Sequence, residues 1–170
     1  MSEAEPGLKE LPKRGVYTLV IRVEAPMEFR AGRLGKTRLE PGFYLYTGSG
    51  LGKGALGLRG RVKRHLGARK RTFWHIDYLL GQPQASVAAV VASPSLNKEE
   101  CRVNRALMGA LRAEAPVKGF GSSDCRSGCP AHLLYVGLDD PTGRVAAAYA
   151  GLGLRPVVLR LRRELEQGSG

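Results

Sequence analysis

The sequence predicts an α+β fold, in which strands and helices are mixed without a repeating strand–helix–strand order. Short runs of β-branched and aromatic residues bounded by glycine or proline indicate strands, and apolar residues spaced three and four apart indicate helices. The 170 residues suffice for one domain. We expect a disordered N-terminal tail at 1–13, a domain at 14–137, an extension packed on it at 138–166 and a disordered tail at 167–170.

The N-terminal half is predicted to contain two long strands. The run GVYTLVIRV at 15–23 is rich in the residues that favour strands. The run FYLYT at 43–47 has the same character, and the glycine-rich residues 48–57 after it are typical of a loop. Between these two strands, residues 27–39 are expected to form one or two shorter strands.

A basic amphipathic helix is expected at 55–66. Leu58, Val62 and Leu66 recur there at helical spacing, while basic side chains occupy the other faces. The next segment, 72–80, fits either a strand or a helix, because its alternation favours the first and its leucine content the second.

The chain then continues the mixture of elements. Residues 85–92 are predicted to form a buried strand and residues 96–112 a helix, with Asn97 as its N-cap and Glu100 at the capping-box position. Residues 119–130 are dense in turn-forming residues and predict a loop.

The C-terminal region begins with a predicted strand at 132–137. A turn followed by an alanine-rich stretch occupies 139–154. Residues 155–163 alternate as an edge strand would, although they also suit the start of a basic helix.

The charge of the chain points to a polyanionic partner. The formal charge is +12, from 27 Lys and Arg against 15 Asp and Glu, and clustered cations attract phosphates and release their counterions. We therefore expect nucleic acid as the partner. Three cysteines without a secretory signal argue for reduced thiols or metal ligands. Without a run of about 18 apolar residues, we expect a cytoplasmic protein with no membrane partner.

An ordered series of motifs carries a family resemblance. Gly15-Val16-Tyr17 and Tyr46-Thr47-Gly48 lie on the two long strands, and RVKRHL, WHIDYLL, EEC and GFGSSDC follow in that order. This series, over about residues 14–137, resembles the GIY-YIG nuclease superfamily, specifically an uncharacterised GIY-YIG-like branch sometimes fused to endonuclease-III-type glycosylases. The resemblance implies a small mixed or antiparallel sheet flanked by helices, with both tyrosines near one cleft.

The resemblance also implies a site for phosphodiester hydrolysis. Tyr17 would help to activate water, and Tyr46 would orient water or phosphate. Arg61 would hold two phosphate oxygens and neutralise transition-state charge. His65, four residues later on the same helix face, would donate to substrate or relay a proton. Glu100 would hold one divalent cation, Mg²⁺ or Mn²⁺.

For three of these residues, a nearby residue of the same type could fill the same role in the site. Alternation places two tyrosines on one strand face, and a helix arginine or an N-terminal glutamate often has only a structural role. The pairs left open are Tyr44 and Tyr46, Arg59 and Arg61, and Glu99 and Glu100.

Further residues are expected around this centre. His75 and Asp77 share one face if their segment is extended, so they could support the cleft as a hydrogen-bonded pair. The spacing of three cysteines and a histidine fits structural Zn²⁺, with buried free cysteine as the alternative. The nucleic-acid-binding candidates are Arg59, Lys63, Arg64, Gly48, Ser49, Ser122 and Ser123, and the zinc candidates are Cys101, Cys125, Cys129 and His132.

Two functions fit this set of residues. The first is a metal-dependent endonuclease acting on DNA during repair or recombination, with a repair protein as a further partner. The alternative is a non-catalytic, basic nucleic-acid-binding module that retains the same fold.

Overall fold

The computed structural model describes residues 5–67, 72, 74–121 and 128–161. It confirms the α+β class: a five-stranded antiparallel sheet and a separate two-stranded sheet are combined with helices. The strands are β1 (Gly15–Val23), β2 (Met27–Arg30), β3 (Lys36–Leu39), β4 (Gly42–Gly50), β5 (Ala85–Pro94), β6 (Leu133–Tyr135) and β7 (Val157–Arg160). The α-helices are α1 (Glu5–Leu8), α2 (Leu58–Leu66), α3 (His75–Leu80), α4 (Glu100–Ala110) and α5 (Thr142–Gly151).

Strand β1 lies at the centre of the larger sheet, whose order is β6-β4-β1-β5-β7. Successive side chains of a strand point to opposite faces, so β1 serves two hydrophobic clusters. Leu19 and Ile21 belong to one of them, together with residues of α2 and α3, and Val16 and Val20 belong to the other, together with residues of α4 and α5. The sheet therefore separates α2 and α3 from α4 and α5.

A buried polar network joins the sheet to α5. The Thr18 hydroxyl lies 2.8 Å from the Thr47 hydroxyl and 2.8 Å from the Tyr149 hydroxyl. All three side chains are almost fully buried. Because each hydroxyl has a partner, the network avoids the free-energy cost of an unsatisfied buried polar group.

The N-terminal segment corrects the predicted disordered tail from residue 5 onward. It contains α1, and Leu8 and Leu11 are buried in the cluster beside α2. The Arg59 side chain donates from Nε to the Leu11 carbonyl at 2.7 Å and from Nη2 to the Lys9 carbonyl at 2.9 Å. Burial of the two leucines therefore attaches this mostly polar segment to the core. The predicted tails at 1–4 and 167–170 lie outside the described residues.

Several element boundaries differ from the predictions. Strand β4 continues to Gly50 instead of stopping before Gly48, because it remains paired with β1 as far as Gly15. Helix α2 begins at Leu58, after a 3₁₀ turn at Gly54–Leu56. Helix α4 begins at Glu100 with Glu99 as its N-cap, so the predicted role of Asn97 is wrong.

The C-terminal region forms part of the same sheet. Helix α5 follows the predicted turn, and β7 pairs with β5 at the sheet edge, so the edge-strand interpretation of this segment is confirmed. Residues 162–166 lie outside the described residues. None of the helices in the described part of the chain has the length and apolar character that a membrane span requires.

We expect Leu11→Ala to lower the free energy of unfolding by about 2–5 kcal/mol, because it removes a fully buried side chain and leaves a cavity. Denaturant titration measures the effect. Leu96→Ala is the matched control, since Leu96 is 79% exposed. Equal stability of the two variants would contradict the docking of the N-terminal segment.

Candidate active site

A hydrogen bond between β1 and α2 defines the centre of the site. The Tyr17 hydroxyl lies 2.7 Å from Nε2 of His65, and both side chains are 2% exposed. His65 follows Leu58 and Val62 on the buried side of α2, so packing of the helix against the sheet carries the imidazole to the phenol. The pair is thus held by the core and not by a surface loop.

Gly48 makes room for this pair. It lies opposite Tyr17 in the register of β1 and β4. A Cβ at position 48 would lie 2.7 Å from the Tyr17 hydroxyl oxygen and 2.9 Å from Cζ. The phenol that covers position 48 therefore explains the glycine, and its role in nucleic-acid binding stays a prediction.

Two further aromatic rings surround His65. The Tyr46 ring lies edge-on at 6.1 Å between centroids, and the Trp74 ring is tilted at 6.0 Å. Tyr46 is 9% exposed. A Cβ at Gly121 would lie 2.8 Å from Cε1 of Tyr46, so the chain at 121 closes against this ring. The imidazole is consequently enclosed by Tyr17, Tyr46 and Trp74.

Arg61 extends over the same aromatic group. Its guanidinium carbon lies 5.1 Å from the centre of the Trp74 ring, within the range of a cation–π interaction. Its Nε is buried, and among the described residues it has no hydrogen-bond partner. Arg61 therefore offers a positioned, partly sheltered donor to a ligand.

The pKa of Tyr17 is raised well above its usual value of about 10. Burial is the largest cause, and the neighbouring Tyr46 adds to it; Arg61 opposes the rise and Glu100 contributes to it. The phenol is therefore neutral near pH 7.

Glu100 is the first residue of α4 and is partly exposed. Within the described parts of the chain, its carboxylate takes part in no hydrogen bond or ion pair. Glu99 differs, because its carboxylate binds Nε of Arg102 at 2.6 Å. Of the two glutamates, Glu100 is the one available to a ligand.

Structural contacts also distinguish Tyr44 from Tyr46 and Arg59 from Arg61. The Tyr44 hydroxyl donates to the Glu40 carbonyl at 2.7 Å, and its ring packs on Tyr135. Arg59 is occupied by the two carbonyls of the N-terminal segment. Both residues thus hold the fold. The structure brings together four of the predicted catalytic residues, Tyr17, Tyr46, His65 and Arg61, whereas Glu100 is linked to them only through the effect of its charge on the pKa of Tyr17.

The predicted pair of His75 and Asp77 does not form, because their segment is helical. Asp77 is buried and accepts hydrogen bonds from Nη2 of Arg64 at 2.8 Å and from the Trp74 amide at 2.9 Å. It therefore orients α3 and the tryptophan. His75 accepts from the Gly121 amide through Nδ1 at 2.9 Å, and burial lowers its pKa.

The remaining nucleic-acid-binding candidates are scattered. Ser49 lies beside Val16 on the opposite face from Tyr17, so it cannot line the same cleft. Lys63 is exposed on α2, whereas the Arg64 guanidinium is shared between Asp77 and the Trp74 ring. Ser122 and Ser123 lie outside the described residues.

Trp74 is the site residue that sequence analysis missed. Its motif, WHIDYLL, is part of the series that carries the family resemblance, but the indole was not assigned to the site. Trp74 directly precedes α3, and its ring contacts Arg61 and Arg64 of α2. This contact depends on how the two helices are placed, which the local sequence does not show.

A second cluster lies where α4 begins and β6 approaches β4. The ligand atoms of Cys101, Cys129 and His132 all lie within 4.8 Å of one another and could hold a metal ion. Cys101 Sγ is 3.7 Å from His132 Nε2, while His132 Nδ1 lies 3.3 Å from the Thr47 carbonyl oxygen. The fourth predicted ligand, Cys125, lies outside the described residues.

The chain belongs to the family described as domain of unknown function DUF123, whose model matches residues 16–154. No curated protein and no solved structure matches the chain. The matched region includes Tyr17 on β1 and Tyr46 on β4, together with α2, the start of α4 and the cysteine–histidine cluster.

The raised pKa of Tyr17 predicts a stability change at high pH. Its neutral form is favoured by the fold, so its contribution is fully present below the unfolded pKa of about 10 and is lost as pH rises above that value. Denaturant titrations between about pH 8 and 11 should show a falling free energy of unfolding. In Tyr17→Phe, the free energy of unfolding should fall less steeply with pH, by the slope that corresponds to about one bound proton. An unchanged slope would contradict the burial of the phenol.

Proposed function

We propose that the chain is a metal-dependent endonuclease of the GIY-YIG type that hydrolyses phosphodiester bonds in DNA. The observation that carries the proposal is the 2.7 Å contact between the Tyr17 hydroxyl and Nε2 of His65, beside the Arg61 guanidinium. A proton acceptor, an anion-binding group and a carboxylate that acts on the same phenol are the groups that such hydrolysis requires.

The neutral state of Tyr17 determines its role in this proposal. A buried phenol with a raised pKa is a poor source of phenolate. Tyr17 instead relays a proton: its oxygen takes the proton from the attacking water while its own proton passes to Nε2 of His65. The water oxygen forms the new bond to phosphorus as the bond from phosphorus to the leaving oxygen breaks, and the imidazolium then returns the proton through Tyr17 to that leaving oxygen. Because Nε2 of His65 must accept a proton in this relay, the neutral imidazole carries its own proton on Nδ1.

Arg61 supplies the positive charge at the phosphate. A guanidinium can donate to two phosphate oxygens at once, and its planar face is already supported by Trp74. Because this arrangement exists before substrate binds, little reorganisation is needed as negative charge develops. Tyr46, on the other side of the imidazole, orients the water or the phosphate.

Glu100 would hold the divalent cation, Mg²⁺ or Mn²⁺. A single carboxylate fits such an ion, which commonly completes its coordination with water and substrate phosphate oxygens. The lack of a hydrogen bond or ion pair at this carboxylate, within the described residues, supports the assignment. When bound, the ion would stabilise charge on the phosphate oxygens.

The cysteine–histidine cluster fits structural Zn²⁺. Tetrahedral sites with zinc bonds of about 2.0–2.3 Å separate their ligand atoms by about 3.6 Å, close to the 3.7 Å between Cys101 Sγ and His132 Nε2. The contact from His132 Nδ1 to the Thr47 carbonyl is the kind of support that orients metal-bound imidazoles. Zinc at this point would fix the start of α4, and with it Glu100, against β4. Metal-binding thiolates also suit a reducing compartment such as the cytoplasm.

DNA is the favoured substrate because of the charge of the chain, +12, and the basic residues of α2. The exposed Lys63 lies on the helix that carries Arg61 and His65. The chemistry described requires only a phosphodiester, so a role in repair or recombination, with a repair protein as partner, rests on the GIY-YIG resemblance.

We expect Tyr17→Phe, Arg61→Ala and Glu100→Gln each to reduce the cleavage rate by about 10²-fold or more, because each removes a proton relay or a charge-stabilising group. The measurement is cleavage of labelled linear, flapped and branched duplex DNA, with and without Mg²⁺ or Mn²⁺. Binding of the same DNA should be affected much less.

Two matched controls come from the same elements. Tyr44→Phe alters a tyrosine on the same strand face, and Glu99→Gln alters the adjacent glutamate; both should retain activity because their groups serve the fold. If the unaltered protein binds DNA but cleaves none of the substrates with either metal, the endonuclease proposal fails and the non-catalytic binding module takes its place.

The zinc proposal predicts one tightly bound Zn²⁺ per chain, measured by elemental analysis of protein purified without chelator. Replacement by Co²⁺ should give the absorption bands of cobalt bound to thiolate. Cys129→Ser should abolish these bands and lower the thermal midpoint, while Ser86→Ala, at an exposed position of β5, should do neither. Protein that holds no metal under these conditions would overturn the assignment.

A further inference from the structure

A cationic cavity lies at the N-terminal end of α2, away from the tyrosine pair. Its volume is about 290 Å³, and it is bounded by residues 13–14, by the glycine-rich loop at 52–57 and by Arg59. Four basic residues line it, and no acidic residue in the described part of the chain does. The basic residues are Lys13, Arg14, Lys53 and Arg59.

The loop that forms the wall of this cavity is held in place by its own backbone. The Gly52 amide donates to the Leu56 carbonyl at 3.0 Å, and Leu51 bridges to Gly57. Close packing requires glycine at position 52, where an added Cβ would lie 2.5 Å from Cβ of Leu56. The glycine-rich loop therefore forms a preformed wall of the cavity.

Among the described residues, no acidic side chain neutralises the positive charge in the cavity. In the parts of the chain that the structure describes, Lys13, Arg14 and Lys53 form no ion pair, and all three are exposed. Arg59 is oriented by the carbonyls of residues 9 and 11, which leave its charge in place. The positive end of the α2 dipole adds to these cations.

We propose that this cavity binds a backbone phosphate of the DNA strand on which the tyrosine–histidine pair acts. The proposal rests on the proposed function and adds a second point of contact to it. From Gly57 to His65 the helix rises by about 12 Å, at about 1.5 Å per residue. Phosphates of one strand advance about 3.4 Å each along a duplex axis, so the cavity lies three or four nucleotides from the bond to be cut.

The glycine-rich loop would then set the register of the strand. A phosphate fixed in the cavity at one end of α2 leaves another phosphate facing Arg61 and His65 further along the same helix. Two contacts on one rigid helix orient the strand better than one contact can. Phosphate contacts of this kind position nucleic acid without reading its sequence.

The test compares two double variants with the same change in charge. Lys13→Gln with Lys53→Gln alters the cavity, and Arg112→Gln with Arg144→Gln alters exposed cations at the end of α4 and on α5. Fluorescence anisotropy with a labelled duplex, at several salt concentrations, gives affinity and salt dependence. We expect the cavity variant to lose about tenfold or more in affinity and to lower the salt slope by about 1–2, with little change in the control.

The outcomes separate this proposal from the endonuclease proposal. Equal losses in the two double variants, with unchanged thermal midpoints, would show a general charge effect and overturn the cavity assignment. So would unchanged DNA affinity together with cavity-dependent binding of inorganic phosphate, which would make the cavity a site for free phosphate. If the unaltered protein cuts no DNA but the cavity variant alone loses affinity, the cavity assignment stands and the endonuclease proposal falls.

Discussion

The packing of α2 against β1 and β4 is the constraint on which the site depends. It is possible because β4 presents Gly48 where any larger residue would meet the Tyr17 ring. Through that gap the phenol reaches His65, and the same helix brings Arg61 over Trp74. One strand register and one helix position therefore determine the relations among Tyr17, His65 and Arg61.

The two faces of the sheet have different tasks. The face toward α2 and α3 holds Tyr17, Tyr46 and His65, whereas the face toward α4 and α5 holds a closed network of hydroxyls around Thr18. Thr47 links this network to the cysteine–histidine cluster, because its hydroxyl meets Thr18 and its carbonyl meets His132. Glu100, one residue before Cys101, thereby depends on both the core and the cluster for its position.

Much of the secondary structure could be predicted from local sequence, since the long strands and the α2 helix have strong periodicity. Local patterns could not settle what depends on tertiary contact. Leu11 was assigned to a tail because its burial requires Arg59 and α2, distant in the chain. The choice between Glu99 and Glu100, and between Tyr44 and Tyr46, likewise depends on side-chain contacts that the sequence does not show. The Glu99 carboxylate binds Arg102, and the Tyr44 hydroxyl donates to the Glu40 carbonyl. Asp77 was misjudged because its partner, Arg64, lies on another helix.

Trp74 is the only tryptophan in the chain. The guanidinium carbons of Arg61 and Arg64 lie 5.1 and 4.9 Å from the centre of its ring, and the ring packs near His65. Its fluorescence therefore originates within this cluster alone, without background from another indole. The molecule thus contains a native optical probe of events at Arg61, and ligand titrations can be followed without attaching a dye.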